Sequence, residues 1–369
     1  MKRWMALPTA LLALVAVLAI AGCGSSSSSS SSEESTAAAE AEPPGETAAA
    51  EGSEEPGAGS GTKVYYLSPV LAQPAQQDQK EAFEAGAKEL DWTPTVLDSA
   101  LSPEKEISNM ELAMNGGAKA IAAWTLDPGT IAGSYEEAEQ AGIPVIGDNS
   151  VGPGIVSTVW FETQLCEPGG PQAVDAEKIA EMRPHAKVMM IVFEQAQSLV
   201  EVAECFAKEA KAAGLEVISE TNNEGDNAAG SQKQFEPLLT KTPDVEVVWC
   251  YNDESAMGVS AALLAQGKAI ATTENPEGVI VTGQNGDQDA IEAVEEGRLS
   301  WTWDQDNVAT GYAMVKAMKA ALEGKPPKDI LVEGQFVDSE TVGEYKWPDE
   351  REYTLATIPI KWEKAPSEK

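Results

Sequence analysis

Short apolar segments alternate with longer segments of helical periodicity from Thr62 onward, and this alternation constrains the fold more than any other feature. One strand-like segment ends at Leu97, and the others read KVYYLS (63–68), AKAIAAW (118–124), IPVIG (143–147), KVMMIVF (187–193), LEVIS (215–219), VEVVWC (245–250) and VIVTG (279–283). Helical patterns lie between them, at 77–90, from Pro103, and at 128–141, 198–213, 227–240, 254–267 and 287–296. This order indicates βαβ units and parallel sheets with helices on both faces. Because one sheet rarely takes so many units, and Gly and Pro interrupt the rhythm at 148–170, we expect an α/β fold of two Rossmann-like lobes.

The first 22 residues are typical of a secretory signal. Lys2 and Arg3 precede an apolar run at 11–20, which is shorter than the ~20 residues that cross a bilayer. The run leads into Ile20-Ala21-Gly22-Cys23, which resembles the bacterial lipoprotein box, whose cysteine is acylated and becomes the mature N-terminus. We therefore predict a signal peptide at 1–22 and lipidation of Cys23. The alternative is a transmembrane anchor with an incidental cysteine.

Residues 23–61 are predicted to form a disordered acidic tether. The segment consists mainly of Ser, Ala, Glu, Gly and Pro and contains no aromatic residue. Such a composition cannot bury enough apolar surface to offset the entropy of ordering the chain. A flexible chain of about 38 residues has a typical reach of roughly 35 Å. An unselected low-complexity tail is the alternative interpretation.

The formal net charge of −35 argues against a nucleic-acid partner and against the protein body lying flat on an anionic membrane. Nucleic acids are gripped by basic patches, and anionic lipid surfaces repel a strongly acidic protein. We therefore expect no nucleic-acid partner. The excess negative charge is explained either by solubility or by a cation site.

Cysteine and histidine placement predicts neither a metal site nor a cofactor. No CxxC or His-Cys spacing occurs, and His185 lies in a loop. Cys250 ends an apolar strand and is expected to be a core thiol, whereas Cys166 and Cys205 either form a disulfide or stay free in an exported chain. Because no GxSxG, HExxH or phosphate-binding loop is present, we expect no catalysis.

Polar and aromatic residues follow the carboxyl ends of the predicted strands. In open α/β sheets, ligands bind beyond these ends. The segments concerned are 68–77, 124–125, 148–149, 194–195, 252–253 and 284–285. Because amides and carboxylates bridge hydroxyl pairs and flat rings cover apolar sugar faces, this composition favours a polyhydroxylated ligand.

Three motifs make the sequence recognisable. AGIPVIGDN (141–149), YNDESAMGVSAAL (251–263) and VIVTGQNGDQDAIEAVEEGRLSWTWDQDNVATG (279–311) resemble, in matching order, the periplasmic sugar-binding proteins of the ribose-binding type. The resemblance implies the type I periplasmic-binding-protein fold, in which two lobes with parallel sheets are joined by a three-strand hinge and close on one sugar. The lactose-repressor family shares this body, but a signal and tether stand here in place of its helix-turn-helix.

The hinge of that family also implies how the chain is divided between the lobes. Residues 62–158 and 306–330 are expected to form the N-terminal lobe. Residues 159–305 and 331–369 are expected to form the C-terminal lobe.

The resemblance assigns ligand roles to three polar residues. Asp148 matches the family's aspartate after the IPV strand, and Asn252 matches the asparagine of its ND motif. Gln305 matches the glutamine of the hinge segment that follows GRL. Each residue has a structural alternative: Asp148 caps a turn, Asn252 caps the next helix, or Gln305 satisfies the hinge backbone.

The sequence departs from the family at other ligand positions. Asn285 stands where the family has an aspartate, with Gln284 just before it, and Asn149 and Val202 stand where arginines are expected. We include Gln284, Asn285 and Asn149 among the candidate ligand residues. An anionic ligand would lack its bidentate arginine partner, which favours a neutral sugar or polyol. A cationic ligand stays open, because tryptophans near acids also suit cations.

Tryptophans are candidates for the family's missing pair of aromatic residues near the first strand. At that place LAQPAQQDQ (71–79) offers amides instead. Trp124, with Thr125 after it, ends a strand, Trp160 lies in the first crossing between lobes, and Trp303 lies in the hinge motif. We expect these residues to contact the ligand, although each is also consistent with a core position.

Together these features predict a lipid-anchored solute-binding protein on the extracytoplasmic face of the cell membrane. It would be a monomer that captures a small sugar or polyol for import. The partners that the resemblance implies are an ABC permease and its ATPase, and Cys23 would attach the chain to the membrane. Two alternatives stay open: a receptor that passes closure to a membrane sensor, and a surface carbohydrate hydrolase.

Overall fold

The computed structural model describes residues 61–325 and 328–365, all of which belong to one compact unit. The predicted signal peptide, Cys23 and the tether up to residue 60 lie outside the described residues. The strands are β1 (Lys63–Ser68), β2 (Thr93–Asp98), β3 (Ala120–Ala123), β4 (Val145–Asp148), β5 (Ile155–Phe161), β6 (Lys187–Val192), β7 (Glu216–Asn222), β8 (Val247–Cys250), β9 (Ile280–Asn285), β10 (Trp301–Asp304), β11 (Asp329–Val332), β12 (Gln335–Asp338) and β13 (Ile360–Lys364). The helices are α1 (Pro74–Glu89), α2 (Pro103–Asn115), α3 (Pro128–Gln140), α4 (Pro171–Met182), α5 (Gln197–Ala212), α6 (Ala228–Lys241), α7 (Asp253–Ala265), α8 (Gln288–Glu295) and α9 (Asn307–Leu322).

The strands form two sheets, which define the two lobes. The first sheet has the order β2-β1-β3-β4-β5-β11-β13, and the second has the order β7-β6-β8-β9-β10-β12. Pairing is parallel throughout except at one edge of each sheet, where β13 runs antiparallel to β11 and β12 antiparallel to β10. The predicted α/β fold with two Rossmann-like lobes is confirmed.

The helices begin where the sequence places proline and capping side chains. Pro103 opens α2, and Ser102 before it accepts a hydrogen bond from the backbone N–H of Lys105 at 3.2 Å. Pro128 opens α3 in the same way after Asp127, whose carboxylate accepts from the next two backbone N–H groups. Proline is tolerated here because the N–H groups of the first helical turn have no partner within the helix, so the missing N–H of proline removes no hydrogen bond.

Each sheet is buried on both faces. In the first lobe, Tyr66 and Phe83 pack on the side of α1 and α9, and Met110 and Tyr135 pack on the side of α2 and α3. The second lobe has one continuous core, at whose centre Phe206 stacks on Trp249 with the ring centroids 4.6 Å apart. Burial on both faces explains why central strands such as β3 and β8 read as continuous apolar runs rather than as alternating patterns.

Within residues 61–325 and 328–365, three short segments cross between the sheets: 161–164 after β5, 304–307 after β10, and 332–335 between β11 and β12. They lie side by side, since Gln305 Nε2 donates to Thr163 Oγ1 at 3.0 Å and Gly334 N donates to a Glu162 carboxylate oxygen at 3.2 Å. Of the helices in 61–325 and 328–365, none is both long and apolar enough to cross a membrane.

The structure corrects the expected division of the chain at its end. We expected 331–369 to lie in the C-terminal lobe, but β13 pairs with β11 in the first sheet. The physical reason is that β11 would otherwise leave a row of unpaired backbone groups at the edge of the first sheet. The first boundary between the lobes, which we expected after residue 158, lies after Phe161 instead, because β5 belongs to the first sheet as far as that residue.

A disulfide joins Cys166, in the loop before α4, to Cys205 on α5. Cys250 is a free thiol, buried in the second lobe. Of the two states that the sequence left open for Cys166 and Cys205, the structure has the bridged one.

Candidate functional site

A cavity of about 40 Å³ lies between the two lobes, beyond the carboxyl ends of their strands. The first lobe contributes the loop after β1 and the residues after β3, and the second lobe contributes the residues after β6, β7, β8 and β9. The polar lining residues are Gln73, Gln76, Asp226, Tyr251, Asn252, Asn285 and Gln305. Trp124, Phe193 and several aliphatic side chains form the rest of the wall.

Four of the ten residues that the sequence singled out for ligand binding line this cavity: Trp124, Asn252, Asn285 and Gln305. Trp124 donates from Nε1 to Ser198 Oγ of the other lobe at 3.0 Å. Its ring packs edge-on against Phe161, with the centroids 5.6 Å apart. The indole therefore forms a rigid apolar wall at the meeting point of the lobes.

Asn252 caps α7, which is one of the two roles considered for it, and it also lines the cavity. Its Oδ1 caps α7 by accepting from Ser255 N at 3.0 Å, and its Nδ2 donates to Asp226 Oδ1 at 2.9 Å. The cap fixes the side chain at the cavity wall, where a helix N-terminus begins.

Asn285 ends β9 with φ 140°, a value that L-residues rarely adopt. Its Nδ2 lies 3.4 Å from a carboxylate oxygen of Glu254 and 3.4 Å from one of Asp287, which are long contacts. A ligand hydroxyl could therefore replace these carboxylates as the hydrogen-bond partner of the Asn285 amide with little loss of free energy.

Asp148 does not line the cavity. It is fully buried in the first lobe, where Tyr66 Oη donates to its Oδ2 at 2.9 Å and Asn149 Nδ2 donates to its Oδ1 at 3.0 Å. Gln79 Nε2 also donates to Oδ2. Burial raises the pKa of the Asp148 carboxyl to about 7. Tyr66 Oη also lies 2.9 Å from Gln76, which places Asp148 one layer of side chains behind the cavity wall.

Two neighbours of this region, Asn149 and Thr125, make their contacts inside the first lobe. Asn149 accepts the backbone N–H of Phe161 at 2.7 Å, so it holds the first crossing segment. The Thr125 hydroxyl lies 2.6 Å from Tyr135 Oη inside the first lobe. Neither side chain lines the cavity.

The remaining three candidates also lie outside the cavity lining. Gln284 accepts from Gln172 Nε2 at 3.1 Å. Trp303 donates from Nε1 to Asp175 Oδ1 at 2.9 Å, in the buried interior of the second lobe. Trp160 is half-buried on β5 beside β11.

Gln76, Phe193, Asp226 and Tyr251 also line the cavity but were not among the ten named candidates. Gln76 belongs to the amide-rich stretch that follows β1. Asp226 follows β7, which runs three residues beyond the predicted strand end at 219. A longer strand would have placed Asp226 among the residues to inspect.

The carboxylates near the cavity are hydrogen-bonded to neutral groups instead of cationic side chains. Asp226 accepts from Tyr251 Oη, Gln73 Nε2 and Asn252 Nδ2, and burial raises the pKa of its carboxyl. Burial raises the pKa of Glu254 to about 8, and the Asp226 charge adds to this effect. Among the described residues that line the cavity, no Lys, Arg or His side chain occurs. The site is therefore polar and acidic.

Direct contacts hold the lobes together in this structure. Ala75 N in the first turn of α1 donates to Asp287 Oδ1 of the second lobe at 3.0 Å, and Gln73 reaches Asp226 across the same gap. An apolar cavity that holds benzene measures about 150 Å³. At about 40 Å³ this cavity is too small for a sugar, so binding requires these contacts to open.

A potential set of metal ligands occurs at Cys166, Cys205 and Glu209 among the described residues. The two cysteines form a disulfide, which leaves no thiolate to bind a metal.

The family model described as "Periplasmic binding protein domain" matches residues 64–326. The chain is a member of this family. It is 30% identical over 250 residues to the ribose import binding protein of Salmonella typhimurium, a match that covers 67% of this chain and 80% of that protein. Among solved structures, the Caulobacter myo-inositol binding protein bound to myo-inositol matches with a TM-score of 0.70 and 20% identity, over 79% of this chain and 98% of the other. A solute-binding protein of Actinobacillus succinogenes with bound D-allose matches with a TM-score of 0.68 and 19% identity, over 77% and 99%. The resemblance to ribose-type periplasmic binding proteins, and with it the type I fold of this periplasmic binding protein, is confirmed.

Proposed function

We propose that this chain is a solute-binding lipoprotein that captures a small neutral sugar or polyol between its lobes for ABC-type import. The observation that carries the proposal is the make-up of the cavity lining. Five amide side chains, one carboxylate and one phenol face a wall of aromatic and aliphatic groups, and the part of the lining that the structure describes includes no cationic side chain.

This lining suits hydroxyl groups better than anionic groups. Amides donate and accept at once, so each can pair with a hydroxyl in either role. A ligand carboxylate or phosphate would meet Asp226 without any arginine or lysine to neutralise it, which makes an anion costly to bury. Trp124, Phe193 and Tyr251 offer flat faces for the C–H groups of a ring.

The proposed mechanism is closure around the ligand. The lobes contribute groups from opposite sides, with Gln76 and Trp124 in the first and Asn252 and Asn285 in the second. A sugar that contacts both sides has a higher affinity for the closed form than for the open form, and this difference shifts the population toward closure. The chain itself carries out no reaction in this scheme.

Import and membrane attachment complete the proposal. The predicted lipid on Cys23 and the tether at 23–61 would keep a monomeric receptor at the extracytoplasmic face of the membrane. The closed form would dock on an ABC permease, whose ATPase drives transport. The match to a ribose import binding protein supports this partner.

A thermal-shift screen of the purified chain tests the ligand class. We expect a neutral pentose, hexose or inositol, with D-ribose, D-allose and myo-inositol tested first, to raise the Tm, since a ligand at one hundred times its Kd stabilises by about 2.7 kcal/mol. D-gluconate, an anionic polyol, should give no shift.

Two variants locate the binding site. Gln305→Ala should weaken the shift because its amide lines the cavity, whereas Gln140→Ala at the exposed end of α3 should leave it unchanged. A screen in which only anions raise the Tm, or in which no sugar or polyol does so, would contradict the proposal.

A further inference from the structure

The chain returns across the hinge after its last crossing segment. Residues 339–359, which we call the clasp, start where β12 ends in the second sheet and lead into β13 in the first sheet. The clasp is thus a fourth connection between the lobes, beside the three crossing segments.

The two ends of the clasp pack on different lobes. Tyr345 shares a buried cluster with Ile291 and Val337 of the second lobe. Tyr353 and Leu355 pack against the core of the first lobe, and Leu355 N donates to the carboxylate of Glu89 on α1 at 3.3 Å. A change in the angle between the lobes therefore has to move the clasp.

Arg351, in the middle of the clasp, pairs with both aspartates of the second crossing segment. Its Nη1 donates to Asp306 Oδ1 at 3.1 Å, and its Nη2 donates to Asp304 Oδ2. The Arg351 side chain is 6% exposed, and those of Asp304 and Asp306 are 5% and 10% exposed. Because water hardly reaches these ion pairs, salt screens them little, and removal of Arg351 leaves two buried carboxylates without their cationic partner.

Two tyrosines of the clasp hold the same aspartates. Tyr345 Oη donates to Asp304 Oδ2 at 2.9 Å, and Tyr353 Oη donates to Asp306 Oδ2 at 2.7 Å. Asp306 has the left-handed backbone angle φ 50°, and its Oδ1 caps α9 by accepting from Ala309 N at 3.0 Å. A non-glycine residue in this conformation is disfavoured, so the contacts from the clasp help to keep it there.

Gln305 lies between these aspartates and lines the interlobe cavity. We propose that the clasp restrains the hinge, and that Arg351 is a positioning residue that sets the place of Gln305 and limits the opening of the lobes. The effect on ligand binding rests on the proposed function, whereas the restraint on the hinge exists without any ligand.

Hydrogen exchange of the ligand-free, full-length protein tests the restraint. We compare wild type with R351A, R351K and the double variant Y345F/Y353F, which removes two hydroxyls and keeps both rings. R298A is the matched control, because Arg298 pairs with Glu296 on the surface of the second lobe at 36% and 61% exposure. Small-angle X-ray scattering of the same samples measures the separation of the lobes.

We expect exchange in the segment 301–310 to be about tenfold faster in R351A, which corresponds to about 1.4 kcal/mol. It should be at least about threefold faster in Y345F/Y353F, while the central strand β6 stays protected. R351K should recover part of the protection, R298A should match wild type, and the radius of gyration should increase in R351A. Unchanged exchange at 301–310 in Y345F/Y353F would overturn the proposal, even if R351A fails to fold, and so would loss of protection spread evenly over both lobes.

The affinity for D-ribose, D-allose and myo-inositol separates this inference from the proposed function. If one of these sugars binds to wild type, its Kd should rise about tenfold in R351A, and an unchanged Kd would overturn the positioning role. If none of them binds, the proposed function is at fault, and the exchange and scattering results still decide whether the clasp restrains the hinge.

Discussion

Asp148 offers the sharpest test of how buried carboxyl groups behave in this protein. The substitution Asp148→Asn keeps the size of the side chain and removes its ability to ionise. Asp148 has no exposed surface and lies among Tyr66, Gln79 and Asn149, with no cationic partner in an ion pair in the described part of the chain. The effect of this carboxyl on the free energy of unfolding therefore depends on its own ionisation and not on an ion pair.

The size and sign of the effect follow from the raised pKa. Burial raises the pKa of Asp148 from 3.8 to about 7, which at about 1.4 kcal/mol per pH unit amounts to about 4 kcal/mol. Below pH 4 the carboxyl is protonated in both the folded and the unfolded state. Between pH 4 and 7 it ionises in the unfolded state alone, so the free energy of unfolding falls as the pH rises. Above pH 7 the free energy of unfolding is lowered by the full amount of about 4 kcal/mol.

Urea denaturation at pH 5 and pH 8 measures this effect. Wild type should lose stability between the two values, and Asp148→Asn should lose less, by up to about 3 kcal/mol. Asp127→Asn is the control, because Asp127 is an exposed helix cap whose pKa is lowered by hydrogen bonds from Thr130, so it is ionised at both pH values. An Asp148→Asn variant whose stability changes with pH as much as that of wild type would refute this reasoning.

Three further outcomes follow from the packing and from the site. Trp124→Ala should raise the Kd for the bound sugar about tenfold or more in calorimetric titrations, because it removes an aromatic wall of the cavity. Trp160→Ala on β5 should leave the Kd unchanged, and equal effects of the two substitutions would contradict the assignment of the cavity. Replacing Cys166 and Cys205 by Ser should lower the Tm by roughly 10 °C, because the disulfide closes a loop with a separation of 39 residues, for which the loss of chain entropy in the unfolded state corresponds to a stabilisation of about 4 kcal/mol. An unchanged Tm would mean that the loop is ordered without the disulfide. Trp249→Ala should cost about 3–5 kcal/mol in urea denaturation, because the ring is fully buried and stacked on Phe206, and a loss below about 1 kcal/mol would contradict the packing of the second core.

Much of the fold could be predicted from local patterns. Continuous apolar runs such as VEVVWC located strands that are buried on both faces, and Ser102 with Pro103 located the start of α2. The place of the site could also be predicted, because ligands bind beyond the carboxyl ends of parallel strands. These are features of neighbouring residues, which the sequence shows directly.

The direction in which each candidate side chain points could not be predicted. Asp148 ends a strand as expected, but the donors that surround it come from β1 and α1, which are far away in sequence. Trp303 and Gln305 are two residues apart, yet one contacts Asp175 inside the second lobe and the other lines the cavity. Such choices depend on tertiary contacts that no local pattern records.

The return of the chain to the first lobe was also hidden from the sequence. Residues 339–359 carry no strong periodicity, and the strand β13 is short and half-exposed. Its position is determined by the open edge of β11 and by the packing of Tyr353 and Leu355, which are long-range effects. The family resemblance did not help here, because the family model ends at residue 326.

A crystal structure of the chain with a sugar from the thermal-shift screen would test the central claim most directly. We expect density for one sugar between the lobes, with its hydroxyls within hydrogen-bond distance of Asn252, Asp226 and Gln305 and a ring face against Trp124. Density on an outer surface, with the interlobe contacts of Gln73 and Ala75 still in place, would contradict it.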